Sequence, residues 1–325
     1  MMSVTDRIEE LRQGYLNSKP SICYERAKIW TESHESTEGE PLSIRRAKAF
    51  LKACEELPVN IFENELIVGT AGKFKRTGIL TPEYSWKWVD KEMDSFDKRP
   101  QDPYYITDSQ RQFVRDKIFP YWKGKSLEEC FLKRVPKETA KLLIDTGIID
   151  TDSKWRQAVG EITPDYQDIL FAKGYGKIKS EAEEHLSELE ETSVENIDKV
   201  NFYRSVKIVA SGIIKFANRY SDKAEELARE ENSLERKNEL MEISRICKKV
   251  PENQPETFYE AIQFLWFVQL GCIISENPLS LNLGRFDQYM YPYYESDIKS
   301  NKITEEKAQE LIEALWICLL YTSPS

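Results

Sequence analysis

Apolar positions step by three or four through most of the chain, the spacing that lines one face of an α-helix. Val206, Val209, Ile213, Ala217, Tyr220, Ala224 and Leu227 form the longest such series, and Leu240, Ile243, Cys247 and Val250 continue it in a following helix. The same period predicts helix over residues 21–56, interrupted near Gly39–Pro41, and over Pro82–Phe96, Ser109–Trp122 and Ser126–Thr146. Thr163-Pro164-Asp165 starts another helix that runs towards Glu190. There Thr can cap, Pro suits the first turn and Asp complements the positive helix end. A last helix opens at Ile303-Thr304-Glu305-Glu306, with Ala308, Leu311, Ile312, Leu315 and Trp316 as its apolar face.

Other segments depart from that period. Glu63–Gly69, read ENELIVG, is a short apolar run ending in glycine and predicts a buried strand or turn. Thr70–Thr81 is rich in glycine and lysine and predicts a loop. Its GKFKRTG superficially matches a phosphate loop but lacks the terminal Gly-Lys-Ser/Thr, so a plain surface loop is favoured. Ala261–Ile274 is apolar throughout apart from two glutamines, too short to span a bilayer, and predicts a buried helix. Leu279–Leu283 alternates apolar and polar, as a strand with two unlike faces does. Such a strand fits the wall of a cavity or the edge of a surface sheet. Gly284–Glu295, GRFDQYMYPYYE, holds four tyrosines and a phenylalanine and matches neither period.

Composition narrows the partners. The chain has 325 residues, 40% of them apolar and 31% charged, with a net charge of −10 and a pI near 5.1. That is a globular composition, and the acidic balance argues against nucleic acid and anionic membrane as partners. The opening residues carry no apolar core flanked by basic residues, so no signal peptide is read and cytoplasm is the expected compartment. Six scattered cysteines without a CxxC pair predict reduced thiols, mostly core filler. His34 and His185 stand among charged neighbours and are expected on solvated helix surfaces rather than as metal ligands. The acidic stretch from Ser180 to Asp198 reads as a solvated face.

An ordered set of segments then carries a resemblance: ENELIVG (Glu63–Gly69), TPEYSWKWV (Thr81–Val89), IFPYWKGK (Ile118–Lys125), VGEITPDYQDIL (Val159–Leu170), FYEAIQFLWF (Phe258–Phe267), GRFDQYMYPYYESD (Gly284–Asp297) and ITEEKAQELIEALWI (Ile303–Ile317). From about Lys19 to Ile317 the chain resembles the N-terminal part of the glycyl radical enzymes, in the dehydratase-like branch related to pyruvate formate-lyase. The resemblance implies a mostly α fragment, the helical wrapping and first barrel segment of a ten-stranded α/β barrel. It implies homodimers at full length and bond cleavage in a small-molecule substrate through a thiyl radical. It further implies no bound cofactor, and a glycine radical installed by a radical S-adenosylmethionine activating enzyme. GRFDQYMYPYYE is expected to pack the outside of that barrel against its helical coat, with all four tyrosines structural.

The family's Gly-Cys-Val/Ile-Glu loop and its glycine-radical loop have no match here. Cys272 follows a glycine but precedes the barrel segment, and Gly174-Tyr175-Gly176 falls inside a predicted helix. From Cys318 onward, CLLYTSPS departs from the family pattern and reads like a translated adaptor, so residues 1–317 are expected to be family sequence and 318–325 a non-native tail. A barrel cut after its first wall is expected to aggregate or fold partially. By resemblance, Glu161 and the pair Leu279-Ser280 occupy places held by glycerol-binding histidines, which argues against a glycerol or propanediol dehydratase. Glu161, Ser280 and Asn282 are therefore the candidate substrate-binding residues, with Arg156 and Asp165 as further possibilities. Each also has a plain structural role open to it: Glu161 as a surface or capping carboxylate, Ser280 and Asn282 as hydrogen-bonding members of the wall. Two classes of function follow: an enzyme fragment, or a non-catalytic helical scaffold derived from that family.

Overall fold

The computed structural model of the protein describes residues 5–100, 103–146, 161–278 and 280–321. Helix dominates, as the 3.6-residue period requires. In chain order the helices used below are α1 (Asp6–Asn17), α2 (Glu25–Ser36), α3 (Leu42–Glu56), α4 (Pro82–Glu92), α5 (Asp108–Phe113), α6 (Phe119–Trp122), α7 (Leu127–Leu132), α8 (Lys137–Thr146), α9 (Ala172–Ser187), α10 (Ile197–Glu230), α11 (Leu234–Lys249), α12 (Phe258–Glu276), α13 (Phe286–Lys299) and α14 (Glu305–Tyr321).

The core is organised by α12, where every residue from Ala261 to Leu270 is buried. A helix with no polar face must be surrounded. Helices α10, α11, α13 and α14 pack against it. By length and composition alone α12 could cross a membrane, yet it is mostly buried within the fold. Its amide and carboxylate side chains are engaged. Gln263 accepts from Val68 N and donates to Val68 O, both at 2.9 Å. Gln269 donates to the Tyr166 hydroxyl at 2.6 Å. Glu260 pairs with Arg245 and Lys249. At the N-terminus, Asp297 of α13 accepts from Phe258 N at 2.8 Å. At the C-terminus, Asn277 turns left-handed (φ 43°) and releases the chain towards its last strand.

Several expectations need correcting. Ser21–Cys23 is not helix but strand β1, parallel to β2 (Thr77–Ile79) with Ser21 opposite Thr77. Three-residue strands carry too little pattern to be read against a helical background. The segment after Gly69 is likewise no plain surface loop, because Thr70, Ala71, Thr77 and Leu80 are all buried. Glu63–Gly69 takes the turn alternative: Leu66, Ile67 and Val68 are buried without a ladder, held instead by Gln263. His34 is buried, not solvated. It shares a face of α2 with Arg26 and Trp30, and its Nδ1 lies 2.9 Å from Trp30 O. Its charged sequence neighbours point elsewhere around the helix. His185 is exposed and stacks on Tyr203, as expected.

Gly174 interrupts α9 rather than continuing it. Its φ is +71°, and a Cβ there would stand 2.5 Å from Glu252 O. The aromatic segment becomes α13, entered through Gly284 at φ +66° and holding Pro292 within it. Tyr289 is buried and Tyr293 and Tyr294 half-buried, whereas Tyr291 is 54% exposed, so the packing role falls on three of the four tyrosines. On α14, Ala308, Leu311 and Leu315 face the core, but Trp316 is 46% exposed beside Phe286. The same helix runs on to Tyr321, with Cys318 and Tyr321 buried.

Candidate functional site

Two short strands meet although more than a hundred residues separate them. β3 (Glu161–Ile162) pairs in parallel with β4 (Ser280–Leu281), and the register sets Glu161 opposite Ser280 and Ile162 opposite Leu281. A parallel pair needs a long crossover, and here helices α9 to α12 provide it. Asn282 N donates to Ile162 O at 2.9 Å and extends the ladder by one bond. Side chains alternate across a strand. Leu281 and Leu283 pack against the core, which leaves Ser280 and Asn282 on the other face.

The strand pair rests on an aromatic floor. Tyr166 and Tyr289 stack with centroids 5.4 Å apart, and Phe171 meets both edge-on or tilted. Tyr289 donates its hydroxyl to Leu283 O at 2.5 Å, which ties the floor to the end of β4. Tyr166 is buried and accepts from Gln269; burial pushes its hydroxyl well above the ordinary range, so it stays protonated.

All three residues chosen from the sequence therefore come together on one pair of strands. Glu161 is exposed, and its carboxylate makes no hydrogen bond or ion pair among the described residues. Ser280 is half-buried beside it. Asn282 is exposed and donates through Nδ2 to Thr163 Oγ1 at 3.3 Å. Thr163 thus braces the strand pair, and the helix cap expected of it belongs to Asp165, whose carboxylate accepts from Asp168 N at 2.9 Å. The sequence gives no signal for Thr163 in that role, since a Thr-Pro pair reads first as a helix start. Arg156 and Leu279 lie outside the described residues. Cys272 is half-buried on α12, before β4, and burial raises its thiol to about 11. Among the described residues no cluster of His, Cys, Asp and Glu is placed to hold a metal.

The pyruvate formate lyase-like family model matches residues 2–322, and the chain belongs to that family of glycyl radical enzymes. It is 35% identical over 334 residues to an isethionate sulfite-lyase of Nitratidesulfovibrio vulgaris and 29% identical to the (2S)-3-sulfopropanediol dehydratase of Klebsiella oxytoca. Those matches cover 98% and 96% of this chain but 40% and 38% of the relatives. Among solved structures, the glycerol-bound B12-independent glycerol dehydratase of Clostridium butyricum superposes with a TM-score of 0.91 at 37% identity. That match covers 98% of this chain and 40% of that one. The hydroxyproline dehydratase of Clostridioides difficile superposes with a TM-score of 0.91 at 27% identity, over 99% and 41%. The chain thus spans about two-fifths of the length of these relatives.

Proposed function

We propose that this chain is the N-terminal part of a glycyl radical lyase or dehydratase, and that Glu161, Ser280 and Asn282 form its contribution to the substrate-binding wall. The pairing of β3 with β4 carries the reading. It brings the three polar side chains onto one strand pair, with Glu161 in register with Ser280. A carboxylate, a hydroxyl and a carboxamide make a wall suited to a small hydroxylated or cationic substrate. With neither candidate position occupied by histidine, glycerol and propanediol are disfavoured as substrates. In the whole enzyme, a glycyl radical installed by a radical S-adenosylmethionine activating enzyme would supply the thiyl chemistry that breaks the C–C, C–O, C–N or C–S bond. The residues of this chain bind and orient the substrate and help to exclude water. The intact protein is cytoplasmic and homodimeric in this reading, with no nucleic acid or membrane partner, and the present chain alone is inactive.

The family match extends to residue 322 and the last helix to Tyr321. A boundary after Ile317 therefore rests on the wording of CLLYTSPS alone. Reading the gene from its source DNA through the codon for Ile317 tests both points. A frame that continues into a Gly-Cys-Val/Ile-Glu loop and later a glycine-radical loop is the expected result, and Glu161→Gln in that full-length enzyme should then raise KM at least tenfold. A genuine stop after Ser325 would overturn the enzymatic reading and leave a helical scaffold.

A further inference from the structure

A second feature shares no residue with the strand pair. Helices α3, α10 and α12, with Trp30 of α2 and Tyr175 of α9, enclose a partly open cavity of about 440 Å³. That is within the roughly 300–1,000 Å³ typical of small-molecule pockets. Its walls are mainly apolar, from Phe50, Val209, Ile213 and Val268.

Ser205 and Ser275 in that wall donate to Asn201 O and Cys272 O, but three other donors have no acceptor among the described residues. The Tyr175 hydroxyl and the Cys272 thiol have no hydrogen-bond partner among the described residues. The Trp30 indole nitrogen is buried and also unpartnered. Burial pushes the thiol to about 11 and the phenol higher still, so both keep their protons at neutral pH. Arg46 stands in the same lining. It gives Nη2 to Glu276 Oε1, while Tyr84 donates to the other oxygen of that carboxylate at 3.0 Å. Glu276 is thereby occupied on both oxygens, whereas a guanidinium with five N–H donors keeps some to spare. Ser43 lies in the lining too, on the first turn of α3. That turn has no acidic residue and no side-chain cap, so its positive end is not offset locally.

Buried donors normally find acceptors, and an orphaned one asks for an explanation. One buried orphan at Trp30 and the half-buried donors of Tyr175 and Cys272, in one mainly apolar chamber beside a cation with donors left, fit a ligand that has an apolar body and an oxygen-rich anionic end. We propose that this cavity is a binding site for a small apolar carboxylate, with its acid group at Arg46 and its body between Phe50, Val209, Ile213 and Val268. Tyr175 and Cys272 are the further donors offered to that acid group. The site is independent of the strand pair, so its test does not depend on the radical chemistry.

The probe is 4-phenylbutyrate, followed by saturation-transfer NMR and titration against the 325-residue chain at low micromolar protein. Saturable binding is expected, weakened about tenfold by Tyr175→Phe, the scale of one hydrogen bond to a charged group. Val209→Phe, which fills the chamber without touching the ion pair, should abolish it. The isosteric 4-phenylbutylamine should bind at least tenfold more weakly, because its ammonium meets Arg46. Absence of saturable binding, equal affinity for acid and amine, or indifference to Val209→Phe in a chain that keeps its wild-type melting temperature would each overturn the proposal.

Discussion

Arg26 shows how one side chain can join several parts of this fold. It is fully buried and stacks 4.2 Å over Trp30. Its Nε donates to Ile274 O at 2.6 Å and Nη2 to Ser275 O at 3.2 Å, which satisfies carbonyls at the end of α12. Nη1 reaches Leu80 O, and Nη2 pairs with the buried Glu83 at 2.7 Å. Removing one partner of a buried pair strands the other, so Arg26→Met should destabilise by about 3–5 kcal/mol in urea unfolding. Arg26→Met with Glu83→Leu should recover part of that loss; a double variant as weak as the single one would show that the carbonyls, not Glu83, set the cost. Glu65 is the opposite case, a buried carboxyl with little support. Burial raises it from 4.5 to about 7, against a hydrogen bond from Phe62 N and the charges of Lys75 and Arg236. Between those values the folded chain holds a proton that the unfolded chain has released. Stability therefore falls as pH rises from about 4.5 to about 7, by about 1.4 kcal/mol per unit, and levels off above. Glu65→Gln should flatten that part of a melting-temperature profile. An unchanged slope would place the titration elsewhere. None of this was legible in the sequence: His34 was expected on a solvated helix surface, and nothing in the pattern marks Arg26 or Glu65 as a buried charge. Their burial is decided by contacts with residues far along the chain.

At the scale of elements, legibility followed length. The long, nearly all-apolar run of α12 and the stepped series of α10 declare themselves, because many residues carry the signal. Strands β1 to β4 are two or three residues each. Only the alternation at Leu279–Leu283 hinted at one of them. The break at Gly174 was hidden because a glycine in a helical pattern is usually tolerated; its reason is the backbone of Glu252 and Asn253, which approaches too closely for a Cβ. Of the candidate site, Glu161, Ser280 and Asn282 were chosen through the family resemblance, and the register that sets Glu161 opposite Ser280 was not legible. The turn at Glu63–Gly69 shows what sequence pattern misses most. It is buried without a ladder, and its peptide groups at Val68 are met by the carboxamide of Gln263. Gln263→Leu has nearly the same volume but leaves a buried N–H and C=O unpaired, at about 1–3 kcal/mol each. The expected loss is about 2–5 kcal/mol, with faster amide exchange confined to residues 66–70. Uniform acceleration across the chain would show instead that α12 itself had loosened.

At the scale of the molecule, the β3–β4 strand pair offers surface for association. Strands β3 and β4 have only each other as partners among the described strands, so each keeps an open edge. Unpaired edges are templates for association. Nearby, Phe286 lies 5.7 Å from Trp316, which is 46% exposed, an apolar surface next to those edges in sequence and in fold. The chain spans about two-fifths of the relatives it matches, and in those longer chains further strands of the barrel are expected to cover such a face. Taken alone, the 325-residue chain should therefore self-associate with rising concentration, from monomer at low micromolar to larger species within a tenfold increase. Trp316→Lys should shift that transition to higher concentration without lowering the melting temperature, because the side chain is exposed and leaves no core cavity. Light scattering after size exclusion reads the outcome directly. A monomer at every concentration with a sharp cooperative melt would mean that this face is self-sufficient, and would favour the scaffold over the enzyme fragment.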